Sequence, residues 1–126
     1  IIIRGRPMLK NYLFILTVSL LILHEMDAIR RKEWKLFVVL KDMTEERGYL
    51  VFSILHLPLC FVILYFIMNT GSAYYNIFTI VINGFLIFHG VIHLLFRNKK
   101  ANEFSGTYSY VIIFLMSVLG ALQLAL

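Results

Sequence analysis

The sequence predicts an all-α, polytopic membrane protein: an antiparallel bundle of four transmembrane helices forming a single domain. Two observations carry this. Of the 126 residues, 60% are hydrophobic and 15% charged, whereas soluble domains lie nearer half apolar and a quarter charged. The apolar residues also gather in four windows, 11–29, 48–68, 74–96 and 107–126, each near the roughly 20 residues that cross a 30 Å hydrocarbon core. A water-soluble fold this small buries too little of its chain to hide so much apolar surface.

The first window follows Arg4, Arg6 and Lys10 and ends in His24-Glu25-Met26-Asp27. It has no small-residue cleavage site, so it reads as a retained span and not a signal peptide. The second window contains Pro58, whose missing amide N–H predicts a kink. The short link 69–73 makes the second and third windows antiparallel neighbours. The fourth window places Ser117, Ala121 and Ala125 at four-residue intervals, a small-residue ridge for helix packing that could also serve an oligomer. Within the first connection, segment 34–40 carries apolar residues nearly all round a helical wheel. It either lies in the interface with Trp34 at headgroup level or packs against the bundle.

The net charge of +5 comes from 12 Lys and Arg against 7 Asp and Glu. The basic residues fall between apolar runs and form no stripe, which argues for membrane lipid and against nucleic acid as the partner. Six lie in connection 30–47, three in 97–106, three before the first span and none in 69–73. The positive-inside rule then puts the first and third connections on the cytoplasmic side of the cell membrane and both termini outside. The single cysteine, Cys60, permits no intrachain disulfide.

Ionisable side chains within membrane spans are costly and mark candidate functional sites. Here they are His24, Glu25, Asp27, His56, His89 and His93. Measured from Arg30, Arg47 and Arg97 at a 1.5 Å rise, His24 lies roughly 9 Å deep, His56 about 13 Å, His89 about 12 Å and His93 about 6 Å. All fall in one leaflet. His89 and His93 are four apart and share a helix face, a spacing that lets two imidazoles reach one ion. His24 and Asp27 share a face that also carries Thr17.

This pattern suggests a divalent metal site, zinc ahead of iron, with His24, His56, His89 and His93 as ligands. Glu25 and Asp27 would be the catalytic carboxylates. Glu25 would act as general acid or base toward water polarised by the metal, while Asp27 could also fill a ligand position. The bland reading makes the histidines interhelical hydrogen-bonding groups, with the two acids reaching for Arg30 and Arg31. Glu33, Asp42, Glu45 and Glu46 lie in the charged connection and are expected to be solvated.

Two function classes follow. One is a metal-dependent hydrolase or oxidoreductase whose substrate is a lipid or hydrophobic small molecule arriving from the cytoplasmic leaflet. The other is a non-enzymatic membrane protein, either an accessory subunit or a proton-coupled carrier. No serine-nucleophile motif, phosphate loop or nucleotide fingerprint names a reaction.

The stretch from Leu23 through His24-Glu25-Met26-Asp27 to Glu33-Trp34, with a His-xxx-His in the third span, resembles small uncharacterised bacterial four-helix membrane proteins. In these the first helix ends in a His-Glu-x-Asp motif and a Glu-Trp pair follows. The stretch is more loosely similar to the His-x-x-Glu-Glu motif membrane family, with Asp27 and Ala28 where two glutamates are expected. The first resemblance spans most of the chain and implies that the histidines and acidic residues belong together. Alkaline-ceramidase-type hydrolases are similar in setting histidines, an aspartate and zinc in a helical membrane core, on a fold with more spans than four.

Overall fold

A computed structural model of the chain describes residues 2–37, 39–100, 102–104 and 106–126, with side chains from residue 8 onward. Four helices dominate: α1 (Ile2–Arg30), α2 (Glu45–Met68), α3 (Tyr75–Phe96) and α4 (Thr107–Ala125). A short 3-10 turn, Glu33–Leu36, lies between α1 and α2. The segments Met8–Arg30, Glu45–Met68, Tyr75–Phe96 and Thr107–Ala125 are each long and apolar enough to cross a membrane. The protein is thus a multi-pass membrane protein with an all-helical bundle.

Local chemistry sets the helix ends. α1 begins at Ile2, well before the apolar window, because helix geometry continues through the basic leader. α2 starts three residues ahead of its window: the Thr44 hydroxyl accepts from the Arg47 amide (3.3 Å), and Glu45 and Glu46 occupy the first turn, where the helix dipole favours anions. α2 runs on through Pro58. Gly106, at φ 88°, turns the chain into α4 in a conformation that glycine adopts without steric cost.

The core lies among α1, α3 and α4, with α4 packed on both of the others, while α2 touches the rest lightly. Phe14, Val18 and Leu21 of α1 meet Phe78, Ile82 and Leu86 of α3, Met116 of α4 and Ile63 of α2. Close approach of α3 and α4 depends on glycine at two places. A Cβ on Gly90 would run into the Ser117 hydroxyl, and one on Gly120 would lie 3.2 Å from the Asn83 carbonyl oxygen. Ser117 is therefore engaged within the chain and also donates to the Leu86 carbonyl (3.2 Å), whereas Ala121 and Ala125 stay exposed. Much of α2, including Leu57, Phe61, Leu64 and Met68, is exposed, as suits a helix facing lipid.

For segment 34–40 the structure chooses between the two readings at its key residue. Trp34 is buried, packed where a Cβ on Gly48 would strike its indole, with the Phe52 ring 5.8 Å away. Phe37 and Val39 are exposed, and Val38 lies outside the described residues.

Candidate metal centre

Three helical histidines and one carboxylate from the first connection meet inside the bundle. α1 supplies His24, α3 supplies His89 and His93 one turn apart, and the 3-10 turn supplies Glu33; all are buried. His89 Nε2 stands 2.9 Å from His24 Nε2 and 3.2 Å from His93 Nε2. Glu33 straddles the trio: Oε2 is 3.3 Å from His24 Nε2, and Oε1 is 3.1 Å from His89 Nε2 and 3.6 Å from His93 Nε2.

Hydrogen bonding alone accounts poorly for this geometry. An Nε2 carries at most one proton, so three imidazoles bring at most three protons to these five close contacts, and an ionised carboxylate brings none. At least two contacts then have no bridging hydrogen bond and set lone pair against lone pair or N–H against N–H. A cation at the centre accepts all four lone pairs at once. Tetrahedral bonds of about 2.0–2.2 Å place ligand atoms about 3.3–3.6 Å apart; the five contacts here run from 2.9 to 3.6 Å, and one ligand atom from each of the four residues lies within 4.8 Å of the others. His24 ligating through Nε2 keeps its proton on Nδ1, which is buried without a partner among the described residues.

Sequence reasoning placed Glu33 among solvated charges; the structure corrects this, since Glu33 is only 3% exposed. The chain reverses after α1 at Lys32, a non-glycine residue in the left-handed region (φ 53°, ψ 53°), and this turns the next residue back into the bundle. Burial of Trp34 against Gly48 holds the turn down. Outside it, Lys32 Nζ meets Glu45 Oε1 at 2.6 Å and Lys35 Nζ meets Glu103 Oε2 at 3.1 Å. Burial pushes the Glu33 carboxyl up, but hydrogen bonds from His24, His89 and His93 outweigh it and hold the group well below the ordinary carboxylate range. Glu33 is therefore an anion at neutral pH.

Phe104, from the connection between α3 and α4, closes one side of the cluster. Its ring stacks on His24 (centroids 5.8 Å, 24°) and stands edge-on to His93 (4.4 Å, 73°). On another side a cavity of about 200 Å³ reaches Glu33, His89 and His93 and is otherwise walled by apolar residues, among them Phe85, Phe88 and Phe96.

The other candidates sit nearby without joining this group. Asp27 Oδ2 accepts from the Ser109 hydroxyl at 2.6 Å, and its Oδ1 lies 3.7 Å from Arg31 Nε. His56 Nε2 faces Glu25 Oε2 at 2.6 Å, and its Nδ1 lies 2.6 Å from the Phe52 carbonyl oxygen. That carbonyl can only accept, so Nδ1 donates. The Glu25–His56 contact then needs one further proton, which the pair shares. Sequence reasoning thus found three of the four clustered residues and missed Glu33, Phe104 and Ser109. The usable signal for Glu33 was its place beside the only tryptophan, a residue that resists full solvation in a connecting segment.

No curated protein and no solved structure matches the chain. The model of a family of unknown function, DUF6713, matches residues 10–126, and the chain belongs to that family.

Proposed function

We propose that the protein is a metal-dependent membrane enzyme, with zinc held by His24, His89, His93 and Glu33, that acts on a lipid or a hydrophobic small molecule. The observation that carries the reading is the set of five close contacts among three Nε2 atoms and one carboxylate, more than their protons can bridge. Neutral imidazole and carboxylate are zinc ligands, and one anionic ligand offsets part of the ion's charge in a medium of low dielectric. Zinc in such a shell supplies Lewis acidity toward a carbonyl or a water molecule.

The remaining residues fit roles around that centre. Glu33, His89 and His93 border the apolar cavity, so a neutral, apolar group is the reactant that this opening suits. Glu25, next in sequence to the ligand His24, shares a proton with His56 of α2, and the two are the acid–base candidates. Asp27 is a positioning residue in this reading, fixing the end of α1 through Ser109 and Arg31. Nine Lys and Arg in the first and third connections, against three before the first span, favour a cytoplasmic location for the clustered end and outside locations for both termini.

The test is the metal content of detergent-purified protein after metal-replete expression, wild type against the double variant His89→Ala/His93→Ala. About one equivalent in the wild type and its loss in the variant are expected. Less than about a tenth of an equivalent of zinc, iron or manganese in the wild type overturns the proposal.

A further inference from the structure

The end of the bundle away from the histidines holds a larger and chemically different chamber. Its volume is about 880 Å³, and it lies among the start of α1, the start of α3 and the end of α4. That is ample for the polar part of an amphiphile. Lys10 brings a cation to its lining, and among the described lining residues, which include Leu126, no side chain is acidic. Asn11, Asn76, Thr79, Asn83 and Gln123 make one side polar, while Ile80 and Leu124, both exposed on the outer surface, make another apolar.

Hydrogen bonds fix which polar atoms remain available. Gln123 Nε2 donates to the Leu13 carbonyl (3.2 Å) and to Thr17 Oγ1 (2.5 Å), so its amide orientation is set by an oxygen that can only accept. Gln123 Oε1 therefore turns to Asn83 Nδ2 (3.3 Å), and Asn83 Oδ1 is left buried without a partner among the described residues. Unspent capacity in this amide pair is on the acceptor side. The chamber thus joins a positive charge, acceptor-rich amides and an apolar exit.

We propose that this chamber binds the headgroup of an anionic phospholipid. The phosphodiester would face Lys10, a hydroxyl would donate to the Asn83 and Gln123 amides, and the acyl chains would leave along Ile80 and Leu124. The site is separate from the proposed metal centre and does not depend on it.

The experiment is thermal unfolding of the full chain in a neutral detergent, with titrations of dioctanoyl phosphatidylglycerol, dioctanoyl phosphatidylcholine and glycerol 3-phosphate. Phosphatidylglycerol carries phosphate and hydroxyl donors; phosphatidylcholine carries phosphate without a donor. Phosphatidylglycerol is expected to raise the Tm saturably, with phosphatidylcholine about two- to tenfold weaker, the size of one lost neutral hydrogen bond. Lys10→Gln, at an exposed position, removes the cation facing the phosphodiester that both lipids carry and is expected to weaken both, phosphatidylglycerol by about tenfold. Equal stabilisation by the two lipids, or no effect of Lys10→Gln, overturns the proposal. Saturation by glycerol 3-phosphate at the same concentrations overturns the lipid assignment in favour of a soluble phosphate ester.

Discussion

The substitution Gly48→Ala tests how Glu33, the fourth ligand in the proposed metal centre, is delivered, although residue 48 touches none of the four clustered side chains' ligand atoms. A Cβ there would lie 2.5 Å from Trp34 Cδ1 and 3.1 Å from its Cε2, with the indole nitrogen nearer still. The rigid indole cannot yield like the tip of a flexible chain, so the 3-10 turn carrying Glu33 must lift. Overpacking of this kind costs about 1–3 kcal/mol. Alanine also favours the helix by up to ~1 kcal/mol over glycine, but that gain is present whether or not the turn is docked and cancels from the docking equilibrium. Metal affinity is therefore expected to fall about five- to hundredfold. The assay is competitive zinc titration against a chromophoric chelator, run beside the emission of Trp34, the only tryptophan in the chain. The expected result is weaker zinc together with red-shifted emission. Red-shifted emission with unchanged zinc affinity would refute the claim that docking of Trp34 places Glu33 in the metal shell.

Four other outcomes follow from the same geometry. Glu33→Gln removes the anionic ligand with little change of shape and is expected to lower zinc affinity by at least about 100-fold in the same chelator assay. His56→Ala is expected to leave the metal content at one equivalent, because His56 pairs with Glu25, and to lower turnover once a substrate is found. Ser109→Ala strips a 2.6 Å hydrogen bond from the buried Asp27 and is expected to destabilise the protein by about 1–3 kcal/mol, read as a lower Tm. For pH, the Glu33 carboxyl is held well below the ordinary carboxylate value of about 4.5. Its contribution is thus fully present above that value and lost as pH falls from it through the lowered folded pKa. Trp34 emission should hold steady from pH 7 to about 5 and shift to the red below about 4.5.

The four spans were legible because the bilayer makes composition and length decisive, and α2, α3 and α4 begin within three residues of their apolar windows. The His89/His93 pair was legible because helix period alone puts residues four apart on one face. Glu33 was not: its position depends on the left-handed Lys32, which no residue preference announces, and on Trp34 meeting Gly48 fourteen residues on. His56 could not be given a direction from the sequence. α2 is apolar nearly all round, so its rotation about its own axis is set by the Trp34 and Phe52 contacts and not by a sequence stripe. A hydrophobic run thus encodes how deep a side chain lies far better than which neighbour it faces.

The order of layers along the bundle bears on the choice between an enzyme and a proton-coupled carrier. Thr17, Asn83 and Gln123 form a buried polar layer at one end. His24, His89, His93 and Glu33 form another toward the opposite end. Between them Leu21, Leu86 and Met116 pack together, each at most 3% exposed. The step from Asn83 to His89 along α3 is about 9 Å, roughly three hydrogen-bond lengths. A proton relay through the bilayer needs a polar group or a water at each of those lengths, and a water needs two to four polar partners to stay. Three apolar side chains in close contact offer none. A carrier would have to open this layer in every cycle, against its packing, whereas an enzyme working from one leaflet needs it closed to keep the metal site dry on its inner side. The arrangement therefore favours chemistry at one end of the bundle over passage through it. Proton flux through the wild type in sealed liposomes is the discriminating measurement: a carrier conducts protons above the level of protein-free vesicles, whereas the enzyme reading, with Leu21, Leu86 and Met116 closing the layer, expects no flux above that level.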